Sequence, residues 1–164
     1  DGLPTIIKLD MLTREKNMPI HLHEFINELK QKYTMELVHT YCKPRFYHEY
    51  ALSRLKSEGY MLGCASNSIK ESIEVMLLKS NLIKYMDVIY SAQDVLKPKP
   101  DPDIYIKAIS TLGMTPEECL VIEDNENGIK AAKDSGAHVM VVKEVSEVNF
   151  INIKQKIDQI NKKL

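Results

Sequence analysis

The chain has 164 residues, 44% of them hydrophobic and 27% charged, which is enough apolar material for one ordinary globular core. Its 22 basic and 23 acidic residues leave a net charge of −1, so it exerts no general pull on nucleic acid or on an anionic membrane surface. Three widely spaced cysteines, Cys42, Cys64 and Cys119, suit a reduced cytoplasmic protein better than a disulfide scaffold, and no apolar run is long enough for a membrane span.

The opening quarter reads as helix. Thr5 caps a first segment with Ile6, Leu9 and Leu12 as its apolar positions, and Asn17-Met18-Pro19 breaks it. A second helix covers residues 20–40, with Leu22, Phe25, Ile26, Leu29, Tyr33 and Leu37 on one side, and Pro44 closes it. Two helices with no strand between them form a separate helical layer. From residue 45 the rhythm changes to helix 46–58, strand 60–65 and a helix opened by a Ser68/Glu71 capping box. A short strand at 87–91 follows, then helix 104–112 ended by Gly113. A turn at Thr115-Pro116, the apolar strand 119–122, helix 126–135, strand 138–142 and a final helix from about residue 150 complete the chain. Strands alternating with helices imply an α/β fold with a doubly wound parallel sheet.

Ligands of such sheets bind beyond the carboxyl ends of the strands, so the polar residues there are the candidates. After the first strand stand Ser66, Asn67 and Ser68, which either bind an anion at a helix start or simply cap that helix. After the second comes Leu96-Lys97-Pro98-Lys99-Pro100-Asp101-Pro102, a stiff loop whose Lys97 either neutralises phosphate charge or is merely solvated. The apolar strand ends in Glu123-Asp124, a pair that suits a hard cation such as Mg²⁺; the plainer reading is that Asp124 or Asn125 caps the next helix. The histidines lack ligand spacing, and Lys43 and Arg45 sit where the helical layer meets the sheet, within reach of an anionic substrate end.

These runs together resemble the haloacid dehalogenase (HAD)-like hydrolases, in the branch of phosphoglucomutase- and phosphoglycolate-phosphatase-like proteins with an α-helical cap. Gly59 to Ser68 resembles the second motif of that family, with Ser66 in the phosphate position. Lys97 in Lys-Pro-Lys-Pro-Asp-Pro-Asp-Ile-Tyr looks like the third, with Leu96 where many relatives have glycine. Val121 to Gly136 resembles the fourth, with Glu123 and Asp124 in the metal site and Asn125 where serine is common. The resemblance implies a Rossmann-like core at residues 43–164 under a partial cap at residues 1–42. It also implies a Mg²⁺-dependent phosphatase acting through an aspartyl-phosphate on a small phosphorylated metabolite such as a sugar phosphate. Ser66, Asn67 and Lys97 would then hold phosphate, Ser66 and Lys97 assisting catalysis. A phosphomutase, or a non-catalytic binding or regulatory protein of this fold, are the alternatives.

The family's first motif, an apolar strand ending in Asp-x-Asp that carries the nucleophile, finds no counterpart here. Asp10 falls in a helical pattern and Asp87 begins a strand rather than ending one. The expectation is therefore a truncated, inactive chain whose intact parent starts about forty to fifty residues upstream. Its central strand slot would be open, unstable unless the missing segment or another chain fills it.

Overall fold

The computed structural model describes residues 2–162. Its elements are α1 (Thr5–Lys16), α2 (His23–Tyr41), α3 (Phe46–Ser57), β1 (Gly63–Ala65), α4 (Lys70–Lys79), β2 (Val88–Tyr90), α5 (Asp103–Thr111), β3 (Leu120–Glu123), α6 (Glu126–Asp134), β4 (His138–Val141) and α7 (Phe150–Asn161). All strand pairing is parallel: β1 on β2 with Cys64 opposite Ile89, and β3 on β4 with Val121 opposite Val139. The alternation read from residue 45 onward is thus an α/β core. It is arranged as two two-stranded sheets.

Both sheets pack against one helical layer on one face, and on the other α3 and α7 cover the second sheet and the residues just before β1. On one face Ile104 and Tyr105 of α5 and Ala131 and Ala132 of α6 are buried against Ala65 and Tyr90 of the first sheet and Val121 and Val139 of the second. On the other, Ala51 and Leu55 of α3 and Ile153 of α7 cover Leu62, Leu120, Ile122 and Met140. Fully burying a side chain such as Ile104 contributes about 1.5–3 kcal/mol, so these contacts hold the two sheets side by side although, among the described residues, no strand pairing joins them.

Local chemistry explains the boundaries. Gly113 and Gly136 end α5 and α6 with positive φ, and Asn125 caps α6 by accepting from the N–H of Asn127 at 3.0 Å. The predicted Ser68/Glu71 box does not form. Helix α4 begins at Lys70, whose N–H donates to Gln93 Oε1 at 2.9 Å, and the main chain of Ser68 accepts from Ala92 instead. The loop after β2 has captured the helix start.

Phe25, Tyr33 and Leu37, which the sequence places on one apolar side of α2, are 61%, 56% and 58% exposed. Helix α2 packs on α4 through its other side, where Val38 is buried, Ser72 Oγ meets Met35 Sδ, and Cys42 Sγ donates to Met76 O. Periodicity identified the stripe correctly but carries no information about which neighbour, if any, covers it.

The start of β2 shows how the first sheet is fastened. Asp87 accepts from Lys56 Nζ at 2.7 and 2.8 Å and from the Leu62 N–H at 2.7 Å. The Lys56 bonds first, and the Leu62 N–H second, hold its carboxyl below the ordinary carboxylate range. A lowered folded-state value means that this stabilisation is complete above the unfolded pKa of about 3.9 and is lost as pH falls through the folded value. Asp87→Asn should therefore flatten the loss of stability below about pH 4, read as the urea midpoint between pH 6 and 2. A variant whose midpoint falls as steeply as the parent's would contradict this.

Candidate phosphate and metal site

A cleft of about 950 Å³ lies beyond the carboxyl ends of β1 and β3, roofed by α1, α2 and the segment that precedes them. Three polar stretches meet there: Ser66-Asn67-Ser68 after β1, Pro98-Lys99 in the proline-rich loop, and Glu123-Asp124-Asn125 at the end of β3.

Lys99, not Lys97, is the lysine of this site. The Lys97 side chain is 72% exposed and its Nζ lies 3.9 Å from Asp101 on the outer surface, so its predicted role at the anion site is corrected. The Lys99 side chain is 9% exposed, and its ammonium donates to Ala65 O at 3.0 Å, Tyr105 Oη at 2.9 Å and Glu123 Oε1 at 2.5 Å. Backbone chemistry selects between the two. Proline has no N–H, so between Pro98 and Pro100 only Lys99 has one to give. Asn67 takes it: Oδ1 accepts the Lys99 N–H at 3.0 Å, while Nδ2 donates to Lys99 O at 2.9 Å. The amide of one side chain thus docks the loop on both sides and turns Lys99 inward; the Lys99-Pro100 peptide is cis.

That docking occupies the Asn67 side chain, which also donates to Gly2 O at 2.8 Å. Gly2 has φ +80°, and a Cβ there would stand 2.2 Å from Asn125 Oδ1, so only glycine lets the chain pass this close to the site. Ser66 Oγ accepts from the Ser68 N–H at 3.2 Å, and among the described residues its own hydroxyl proton has no acceptor. It is available to an anion in the cleft.

Glu123 and Asp124 have separate fates. Glu123 is 10% exposed, and its Oε1 accepts from both Lys99 and the Tyr105 hydroxyl while Oε2 accepts the Asp124 N–H. Burial first, and the bond to Glu123 second, push the Tyr105 phenol far above its ordinary value, so it stays a neutral donor. A carboxylate so engaged organises the lysine. Asp124, in contrast, is exposed and lines the cleft, and no described group hydrogen-bonds to its carboxylate. As a donor set for Mg²⁺ this amounts to one free carboxylate, with no cluster of three or more His, Cys, Asp or Glu among the described residues. Mg²⁺ is commonly held by one or two carboxylates completed by substrate phosphate and water, so Asp124 fits such an ion in part.

Tyr105 and Gly128 were not singled out in the sequence. A Cβ on Gly128 would lie 2.2 Å from Glu123 Cδ, so the bare glycine of α6 is the floor on which the Glu123 carboxylate rests. Arg45 hydrogen-bonds Tyr47 and, like Lys43, does not line the cleft.

A family model described as haloacid dehalogenase-like hydrolase matches residues 6–142. The chain is 32% identical over 122 residues to a phosphoglycolate phosphatase of Aquifex aeolicus, covering 74% of this chain and 57% of that protein. To the pyrophosphatase PpaX of Bacillus cereus it is 27% identical over 134 residues, 74% of this chain and 61% of the relative. It thus spans about three fifths of the length of these two curated relatives. Its fold resembles that of a β-phosphoglucomutase from Clostridium difficile with a TM-score of 0.80 at 23% identity, over 96% of this chain and 78% of that one.

Proposed function

Because the chain belongs to the haloacid dehalogenase-like hydrolases, we propose that its cleft is the phosphate- and Mg²⁺-binding part of a phosphomonoesterase acting on a small phosphorylated metabolite in the cytoplasm. One observation carries this reading. The Ser66 hydroxyl, the Lys99 ammonium and the free Asp124 carboxylate line one cleft at the ends of parallel strands, where α/β folds bind anions. Residues 1–42 act as a helical cap over the core of residues 43–164.

In this reading the Ser66 hydroxyl donates to a phosphate oxygen. Lys99 supplies positive charge held in place by Glu123, and meets phosphate directly by releasing one of its two bonds to neutral acceptors, Ala65 O or Tyr105 Oη, while keeping the one to the carboxylate. Asp124 would hold the metal, which when bound offsets phosphate charge. Asn67 acts through Lys99 by docking its loop. No described residue fills the nucleophile's role: Asp10 lies in α1 near His23, and Asp87 is bound by Lys56. A strand lying between the two sheets, from an adjoining segment or another chain, would pair with their open edges and end at this cleft.

The test is titration calorimetry of inorganic phosphate with and without Mg²⁺. Mg²⁺ should tighten phosphate binding, Asp124→Asn should remove that gain, and Ser66→Ala should weaken binding about five- to tenfold in both conditions. Phosphate binding indifferent to Mg²⁺ and to Ser66 would overturn the assignment.

A further inference from the structure

Part of the cleft lining has no role in holding phosphate or metal. Leu96, in the loop after β2, lines the cavity and is 98% exposed; Ile6, in the first turn of α1, lines it from the helical layer and is 66% exposed. The local chain holds Leu96 in that position. On one side Val95 packs against the buried core of α5 and α6, and on the other Asn67 binds both the N–H and the C=O of Lys99. Val95 is extended, with φ −133° and ψ 156°, and in extended chain successive side chains point opposite ways. Packing Val95 inward therefore turns Leu96 outward. An aliphatic side chain fixed in water beside a binding cleft leaves unused a burial that a ligand can supply.

The cleft has further aliphatic lining from both sides. Ile7 and Ile26 contribute from α1 and α2, and Ile69 and Val95 from the core. Lys8 and Lys30 on the same lining are exposed, and side chains of that kind keep their charged ends in water while their methylene stems add apolar surface. At about 950 Å³ the cavity stands near the top of the range of roughly 300–1,000 Å³ for small-molecule sites. A phosphate group at Ser66, Lys99 and Asp124 fills only part of that space. Such sites pair a few placed polar groups with apolar lining that takes the body of the ligand.

We propose that Leu96 and Ile6 form an apolar subsite of this cleft, so that the molecule bound is a phosphate monoester whose alcohol part carries an aliphatic or aromatic segment. This rests on the phosphate site proposed above, and the apolar substrate class is the part added here.

A matched pair of ligands separates the two claims. Propyl phosphate and glycerol 3-phosphate share a phosphorylated three-carbon chain and the same charge, and only the second carries two hydroxyls. Binding of each to the full 164-residue chain is followed by calorimetry and by amide chemical shifts. The expected result is about five- to tenfold tighter binding of propyl phosphate, the scale for partial burial of a three-carbon tail, with the Ile6 and Leu96 amides moving further with that compound. Leu96→Ala, at a side chain whose exposure leaves the fold little to lose, should bring the preference below about threefold, and Leu96→Met, which keeps the apolar surface, should retain it. Equal affinities with shifts at Ser66 and Asn67 would overturn the apolar subsite alone. So would a preference that survives replacing both Leu96 and Ile6 by alanine, or a Leu96→Ala variant that weakens both ligands equally. No shift at Ser66 and Asn67 with either ligand would overturn the phosphate site and the subsite with it.

Discussion

Replacing Lys99 by alanine is expected to destabilise the chain by about 3–5 kcal/mol, while the same change at Lys97, two residues away, should stay within about 0.5 kcal/mol. Lys99 and Glu123 are 9% and 10% exposed and in contact, so removing the ammonium leaves a carboxylate in a poorly hydrated place with only the Tyr105 hydroxyl and one N–H to compensate it. The carbonyl of Ala65 at the end of β1 loses its donor at the same time. Lys97 is 72% exposed and its contact with Asp101 is a surface pair at 3.9 Å, worth little. Urea denaturation of the two variants decides the matter. Equal losses, or a larger loss for Lys97→Ala, would show that the wrong lysine has been placed at the centre of the site.

The second large effect is expected at Gly128. In an ordinary helix interior, glycine to alanine gains about 1 kcal/mol. Here the new methyl would lie 2.2–2.4 Å from the Glu123 carboxylate, and that group cannot swing away without breaking its bonds to Lys99 and Tyr105. We expect Gly128→Ala to lose about 2–3 kcal/mol. The sign should reverse when Glu123 is already alanine, because the obstructing group is then gone and only the helix propensity remains. Measuring both variants and the double mutant closes the cycle. A loss from Gly128→Ala that persists unchanged in the Glu123→Ala background would mean the clash lies elsewhere.

How much of this was legible beforehand depends on the kind of signal. The order of helices and strands after residue 45 follows from apolar runs punctuated by Gly59, Gly113 and Gly136, all three of which adopt the positive φ that a glycine stop requires. Reading the polar residues after each strand picks out Ser66, Asn67, Glu123 and Asp124, which line one cleft. The choice of lysine went wrong because Lys-Pro occurs twice in succession, and both copies look alike as composition. The distinguishing fact, that Lys99 has the sole N–H between two prolines, was present in the sequence but gains meaning only once Asn67 is seen to bind it.

Glu123 illustrates a different limit. Two adjacent carboxylates at a strand end look equivalent in a linear text. Extended chain alternates its side chains, so one of the pair turns toward Lys99 and Tyr105 while its neighbour faces the cleft. Tyr105 reads simply as an apolar member of α5, and its hydroxyl contact with Glu123 comes from tertiary packing. The stripe on α2 shows the opposite failure. Phe25, Tyr33 and Leu37 have the period of a buried face, yet the burying contacts are made by Met35, Val38 and Cys42. Period reports that a helix is amphipathic, whereas the partner depends on elements that the pattern does not contain.

The central claim is that the cleft between the ends of β1 and β3 binds phosphate beside Lys99. A titration of the ¹⁵N-labelled chain with inorganic phosphate, followed amide by amide, tests it most directly. The account predicts saturable shifts at Ser66, Asn67, Lys99 and Asp124. Shifts confined to the outer surface around Lys97 and Lys130, or no saturable shift at all, would contradict it.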